Sequence, residues 1–130
     1  MYRLMIVDDD EMLRRGLVQN VDWAGHGFEV VAQAANGKEA LCKMDESMPQ
    51  LIVTDIQMPI MDGYKATRAI RRFSDKKKAG IPIVAMTANA FTEDKERALE
   101  SGMNDHMAKP IDMKVLMSVL EEQICGHKGL

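Results

Sequence analysis

Short apolar runs alternate with longer amphipathic segments along this chain. The runs are Leu4–Val7, Phe28–Ala32, Leu51–Thr54, Ile83–Met86 and, more weakly, Asp105–Ala108. The first four runs are short and mostly apolar, which is typical of strands that are buried on both faces of a parallel sheet, whereas the fifth stretch is half polar. The pattern therefore predicts five strands in a sheet that helices cover on both sides.

The segments between these runs carry helix-start and helix-end signals. The predicted helices are Glu11–Asn20, a second capped by Asn36 and reaching Met44, a third from Asp62 to Phe73, a fourth from about Thr92 to Gly102, and a last one capped by Asp112. Helical spacing gives apolar faces to the first helix (Met12, Leu13, Gly16, Leu17) and to the last (Val115, Leu116, Val119, Leu120, Ile124). The lysines at 76–78 are interpreted as a solvated loop.

Regular alternation of strands and helices with short connections predicts a doubly wound α/β fold. Working groups in such folds lie at the carboxyl ends of the strands. The composition fits one domain, since 130 residues with 46% apolar side chains can build a single core. A net charge of −3 argues against a dedicated nucleic-acid binder.

Two cysteines, Cys42 and Cys125, have no CxxC spacing, which favours a reducing compartment over a zinc site. We find no secretion signal and no apolar segment that approaches membrane-spanning length. These features predict a soluble, cytoplasmic protein without a membrane partner.

The carboxyl ends of the predicted strands carry a coherent set of side chains. Asp8 and Asp9 follow the first strand, Asp55 the third, Thr87 the fourth and Lys109 the fifth. Converging carboxylates repel by about 4 kcal/mol per pair at 4 Å and an effective dielectric constant near 20, so the site is expected either to hold a proton or to recruit a cation, and a hard divalent ion fits best. Mg²⁺, which prefers oxygen ligands, would leave room for phosphate, and Asp55 could then act as a nucleophile toward phosphorus.

At these residues the chain resembles the receiver domain of two-component response regulators over nearly all of its length. The motifs are Val7-Asp8-Asp9-Asp10, Thr54 to Gly63 (TDIQMPIMDG), Met86-Thr87-Ala88-Asn89-Ala90 and Ala108-Lys109-Pro110. The resemblance implies a flavodoxin-like, three-layer α/β/α fold with five parallel strands in the order 2-1-3-4-5. We assign residues 1–125 to the receiver domain and 126–130 to a C-terminal tail.

The resemblance also implies roles for single residues. Asp55 would be the phosphoacceptor, and it would hold Mg²⁺, or alternatively Mn²⁺, together with Asp8, Asp9 and the backbone carbonyl of Gln57. Thr87 and Lys109 would contact the phosphoryl oxygens. The Lys109–Pro110 bond is expected to be cis. Gln57 and Asn89 would flank the path of the hydrolytic water.

The conformational switch of this family couples Thr87 to an aromatic residue three positions before the lysine, but this chain has His106 there. The polar imidazole ring of His106 thus replaces the apolar aromatic packing that the family uses at that position. The resemblance implies that phosphorylation changes the surface formed by the fourth predicted helix, the fifth predicted strand and the fifth predicted helix.

The implied partners are a histidine kinase or a histidine phosphotransfer protein, with an output domain or a second copy at the switching surface. Residues 1–37 resemble receivers of AraC-type regulators, whereas residues 86–105 resemble those of hybrid histidine kinases, so the output stays open. We expect a phosphoacceptor and not a dedicated enzyme. The alternatives are a receiver-like module that acts without phosphorylation, and a haloacid-dehalogenase-like phosphatase suggested by Asp8-x-Asp10.

Overall fold

Five parallel strands form a single sheet in the order β2-β1-β3-β4-β5. The computed structural model describes residues 1–87 and 92–128. Its strands are β1 (Tyr2–Val7), β2 (Phe28–Ala34), β3 (Leu51–Asp55), β4 (Ile83–Thr87) and β5 (Asp105–Ala108). The α/β fold and its strand order are therefore confirmed, including the weakest predicted strand.

The helices are α1 (Glu11–Asn20), α2 (Gly37–Ser47), α3 (Gly63–Arg71), α4 (Lys76–Ala79), α5 (Thr92–Ser101) and α6 (Met113–Lys128), with a 3-10 turn at Ala24–His26. Asn36 and Asp62 cap α2 and α3 by accepting from the Glu39 and Lys65 amides, as predicted. Among the described residues, no helix is long and apolar enough to cross a membrane.

Alternating residues of each strand supply two cores, one on each face of the sheet. Met5 and Ile52 pack with the side chains of α2, α3 and α5. Leu4 and Val53 lie in the opposite core, against α1 and α6. Because both faces are covered, the central strands expose only their ends, and side chains just beyond those ends are where polar chemistry can be placed.

Two details differ from the sequence-based expectations. The lysines at 76–78 form α4 and not a loop, because Asp75 accepts from the Lys77 and Lys78 amides and nucleates one turn. Met12 and Val115, counted in the apolar faces, are 86% and 48% exposed.

Candidate functional site

Four strand ends bring the predicted polar residues to one edge of the sheet. Val7 is paired with Thr54, and Thr87 with Ala108. The residues at or just after these positions therefore lie side by side at the carboxyl ends of neighbouring strands. Asp8, Asp55 and Thr87 are buried, whereas Asp9 is exposed. The structure thus unites side chains that are far apart in the sequence.

Lys109 links the two buried carboxylates. Its Nζ donates to Asp8 Oδ2 at 3.0 Å and lies 3.4 Å from Asp55 Oδ1. The Asp8 side chain is fully buried and the Lys109 side chain is 24% exposed, which strengthens these contacts relative to a surface ion pair. The peptide bond between Lys109 and Pro110 is cis. One lysine therefore faces both carboxylates at once.

Oxygen atoms of Asp8, Asp9 and Asp55 lie within 4.8 Å of one another, one from each residue. This donor set contains only hard oxygen ligands and carries more negative charge than Lys109 alone can balance. Such a set fits Mg²⁺, which binds through one or two carboxylates and keeps several waters. The chemistry of the residues therefore agrees with the predicted divalent-cation site.

The environment changes the ionisation of both charged partners. Burial, followed by repulsion from Asp8, raises the pKa of Asp55 from 3.8 to about 6, although Lys109 and the Ile56 amide oppose the change. Burial works to lower the pKa of Lys109, but its hydrogen bonds and attraction to Asp8 and Asp55 outweigh this and raise it. At neutral pH the lysine is charged and Asp55 is mostly ionised.

Local hydrogen bonds fix the two buried carboxylates. The Asp10 amide donates to Asp8 Oδ1 at 2.9 Å, and the Ile56 amide donates to Asp55 Oδ1 at 2.9 Å. Asp10 itself accepts from the Leu13 amide as the N-cap of α1. The capping role accounts for Asp10 in the acidic run. It does not require the paired-aspartate chemistry of a phosphatase.

Glycine is required where α3 begins beside the phosphoacceptor candidate. The Gly63 amide donates to the Ile56 carbonyl at 2.8 Å. A Cβ atom at Gly63 would lie only 2.5 Å from the Asp55 carbonyl oxygen. The absence of a side chain at this position lets α3 approach the end of β3.

Thr87 and His106 occupy neighbouring strands. The Thr87 hydroxyl donates to the Met107 carbonyl at 3.2 Å, and the Lys109 amide donates to the Thr87 carbonyl at 2.7 Å. His106 is half-buried, with Nδ1 3.6 Å from Asp105 Oδ1. Gln57 is exposed beside the cluster, and Asn89 lies outside the described residues.

Sequence reasoning missed two contributions to this edge. Arg14 donates to the Asp8 carbonyl at 2.6 Å and so ties α1 to the end of β1. A cleft of about 460 Å³ beside the carboxylates is lined in part by Asp9, Gln57, Tyr64 and Arg97. Arg14 lies one turn after the acidic run and could have been suspected, whereas nothing local in the sequence pairs Tyr64 with Arg97.

A five-stranded 2-1-3-4-5 sheet with acidic residues after β1 and β3 and a lysine after β5 defines a response-regulator-like domain. Residues 4–121 match the response regulator receiver domain family, and the chain belongs to that family. It is a receiver domain of two-component signal transduction, and this assignment sets aside the phosphatase alternative.

Relatives occur both in multidomain kinases and in proteins of similar size. The chain is 39% identical to hybrid signal transduction histidine kinase I of Dictyostelium discoideum, covering 95% of this chain but 7% of that protein. It is 35% identical to an uncharacterized 14.6 kDa protein of Leptolyngbya boryana, covering 92% of this chain and 87% of that protein. Chemotaxis response regulator CheY4 of Vibrio cholerae superposes with a TM-score of 0.80 at 27% identity, covering 95% of this chain and 98% of that one.

Proposed function

We propose that Asp55 accepts a phosphoryl group from the phosphohistidine of a histidine kinase or phosphotransfer protein. The observation that carries the proposal is the position of Asp55, buried at a strand end beside Asp8 and 3.4 Å from Lys109. Asp55 Oδ1 accepts from the Ile56 amide and faces Lys109, so we assign the attack on phosphorus to Oδ2.

The carboxylates of Asp8, Asp9 and Asp55, with the backbone carbonyl of Gln57, would hold Mg²⁺ or Mn²⁺. The bound cation supplies positive charge beside the transferring phosphoryl group. Lys109 would offset a further part of the negative charge on the phosphoryl oxygens, because its ammonium already faces Asp55.

Thr87 would act after the transfer. Its hydroxyl now donates to the Met107 carbonyl, so a new bond to the phosphoryl oxygens requires exchange of that contact. This exchange, with His106 responding, would alter the surface of α5, β5 and α6; the segment that joins β4 to α5 lies outside the described residues. Phosphorylation would thus shift a population between two states, with an output domain or a second copy as the partner of that surface.

We further infer that residues 1–125 act as a cytoplasmic signalling module and not as a dedicated enzyme, with no nucleic acid or membrane partner of their own. The acidic edge and the net charge of −3 support the absence of a nucleic-acid partner.

The test is phosphorylation by a small phosphodonor with Mg²⁺, followed by the mass of the intact protein. The wild type and Asp22→Asn, an exposed surface control, are expected to gain one phosphoryl group, and Asp55→Asn none. Equal gain in Asp55→Asn would remove Asp55 from its role. If the wild type gained no phosphoryl group from the small donor or from a cognate phosphohistidine protein, the alternative of a receiver-like module that acts without phosphorylation would be favoured.

A further inference from the structure

The cleft beside the carboxylates has walls from three parts of the chain. Asp9 lies on the β1 side, Gln57 and Asp62 on the segment between β3 and α3, Tyr64 at the start of α3 and Arg97 on α5. Its volume of about 460 Å³ is within the range of small-molecule sites. Because Asp9 belongs to both the cleft and the acidic cluster, the cleft adjoins that cluster at Asp9, although Asp55 itself is not among the lining residues.

Charge is unevenly distributed in this cleft. Among the described residues that line it, Asp9 and Asp62 are acidic and Arg97 is the one cation. Lys109 is already engaged by Asp8 and Asp55. A phosphodonor is an anion that must approach an acidic cluster, and a cationic side chain such as Arg97 in the wall of the adjoining cleft would offset that repulsion.

Tyr64 gives Arg97 a defined position. The guanidinium carbon lies 4.9 Å from the centroid of the Tyr64 ring, within the range of a cation–π contact. Tyr64 is buried and follows Gly63, whose backbone packs against the Asp55 carbonyl. The ring therefore contacts an exposed guanidinium at the wall of the cleft, and a guanidinium is a planar donor group that suits phosphate.

We propose that Arg97 is a donor-binding residue, which pairs with the negative charge of the phosphodonor as it occupies this cleft. The inference rests on the proposed function of Asp55. With an acyl phosphate such as acetyl phosphate, an Asp55 oxygen forms the new bond to phosphorus. The bond from phosphorus to the acetate oxygen breaks and its electron pair leaves with acetate, so no proton is needed. Arg97 contributes to binding, and the transfer itself belongs to the carboxylate edge.

The experiment measures initial rates of phosphorylation against donor concentration, at fixed Mg²⁺ and low ionic strength, by intact mass. Arg97→Ala is expected to raise the half-saturating concentration of acetyl phosphate roughly three- to tenfold, as for the loss of a charge-assisted contact, with the saturated rate unchanged. The effect should be smaller for phosphoramidate, which carries less negative charge, and should shrink as salt screens the interaction. The half-saturating concentration should be higher for Arg97→Glu than for Arg97→Ala. For Arg97→Lys it should lie between the values of the wild type and Arg97→Ala.

Lys95→Ala is the matched control, because Lys95 is an exposed cation on the same helix and does not line the cleft. It should behave as the wild type. Equal half-saturation in Arg97→Ala and Lys95→Ala, with Asp55 still phosphorylated, would overturn this inference and leave the proposed function intact. A fall in the saturated rate alone would also overturn it. Phosphorylation of Asp55→Asn at the wild-type level would instead overturn the proposed function.

Discussion

Asp55 is ionised in an environment that favours its protonated form. Its pKa is about 6 in the folded protein against 3.8 for a free side chain, through burial first and Asp8 second. The folded state therefore binds more protons than the unfolded state between these values, and stability falls as pH rises through them. Above pH 6 the full cost is present, about 1–3 kcal/mol in the absence of metal.

Asp55→Asn removes this cost and should stabilise the metal-free protein by that amount at pH 7.5. The gain should decline as pH falls through 6 and disappear near pH 4, where the wild-type carboxyl is protonated. Denaturant unfolding in chelator across this range would measure it, with Asp22→Asn as the surface control. A pH-independent difference between Asp55→Asn and wild type would show that the ionisation of Asp55 does not destabilise the fold.

The residues of the carboxylate edge could be predicted because strand ends mark them in the sequence. Asp8 and Asp55 each follow an apolar run, Lys109 follows the weaker fifth strand signal, and the parallel sheet brings such positions together. Arg97 and Tyr64 could not be predicted, because a cation–π contact between two helices leaves no spacing signal in either of them. Metal ligation and the roles of Thr87 and His106 remain predictions.

Element boundaries followed the local signals closely wherever capping residues determined them. Asn36 and Asp62 start α2 and α3 as expected. The apolar stripe of α6 was harder to place, because Val115 is exposed while Leu116 and Leu120 are buried. Helical periodicity alone leaves the rotation of a helix uncertain by one residue, and packing against the sheet decides it.

The start of α3 is the element whose placement bears most directly on Asp55. Gly63→Ala would put a methyl group 2.5 Å from the Asp55 carbonyl oxygen and 3.1 Å from Ile56 Cα, so α3 or the end of β3 must move. We expect a loss of about 1–3 kcal/mol in unfolding free energy, as for overpacking elsewhere, together with slower phosphorylation of Asp55. Chemical denaturation and initial phosphorylation rates would measure the two effects.

Gly16→Ala is the matched control for that substitution. Gly16 lies within α1 and an added Cβ would meet nothing nearer than 3.7 Å, so alanine should stabilise the protein by about 0.5–1 kcal/mol. Phosphorylation should be unchanged in this variant. If the two alanine variants showed the same stability and rate, close contact at Gly63 would have no part in placing Asp55.

At the scale of the whole molecule, two apolar cores hold a sheet whose carboxyl edge concentrates negative charge. The cores bury Leu4 and Met5 on opposite faces, so the strands cannot shift to separate the carboxylates without exposing apolar surface. Repulsion among these carboxylates therefore lowers the unfolding free energy of the entire domain. Any ligand that relieves it should stabilise the fold globally.

Mg²⁺ should accordingly raise the unfolding temperature of the protein. Binding only to the folded state contributes RT ln(1 + [Mg²⁺]/Kd), about 1.4 kcal/mol at ten times Kd, which corresponds to roughly 4–6 °C for a domain of this size. Asp8→Asn should lose most of this shift, because Asp8 supplies one of the three clustered carboxylates. Asp22→Asn should keep it, and K⁺ at matched ionic strength should not reproduce it. An equal Mg²⁺ shift in Asp8→Asn and Asp22→Asn would place the stabilising cation away from the acidic edge.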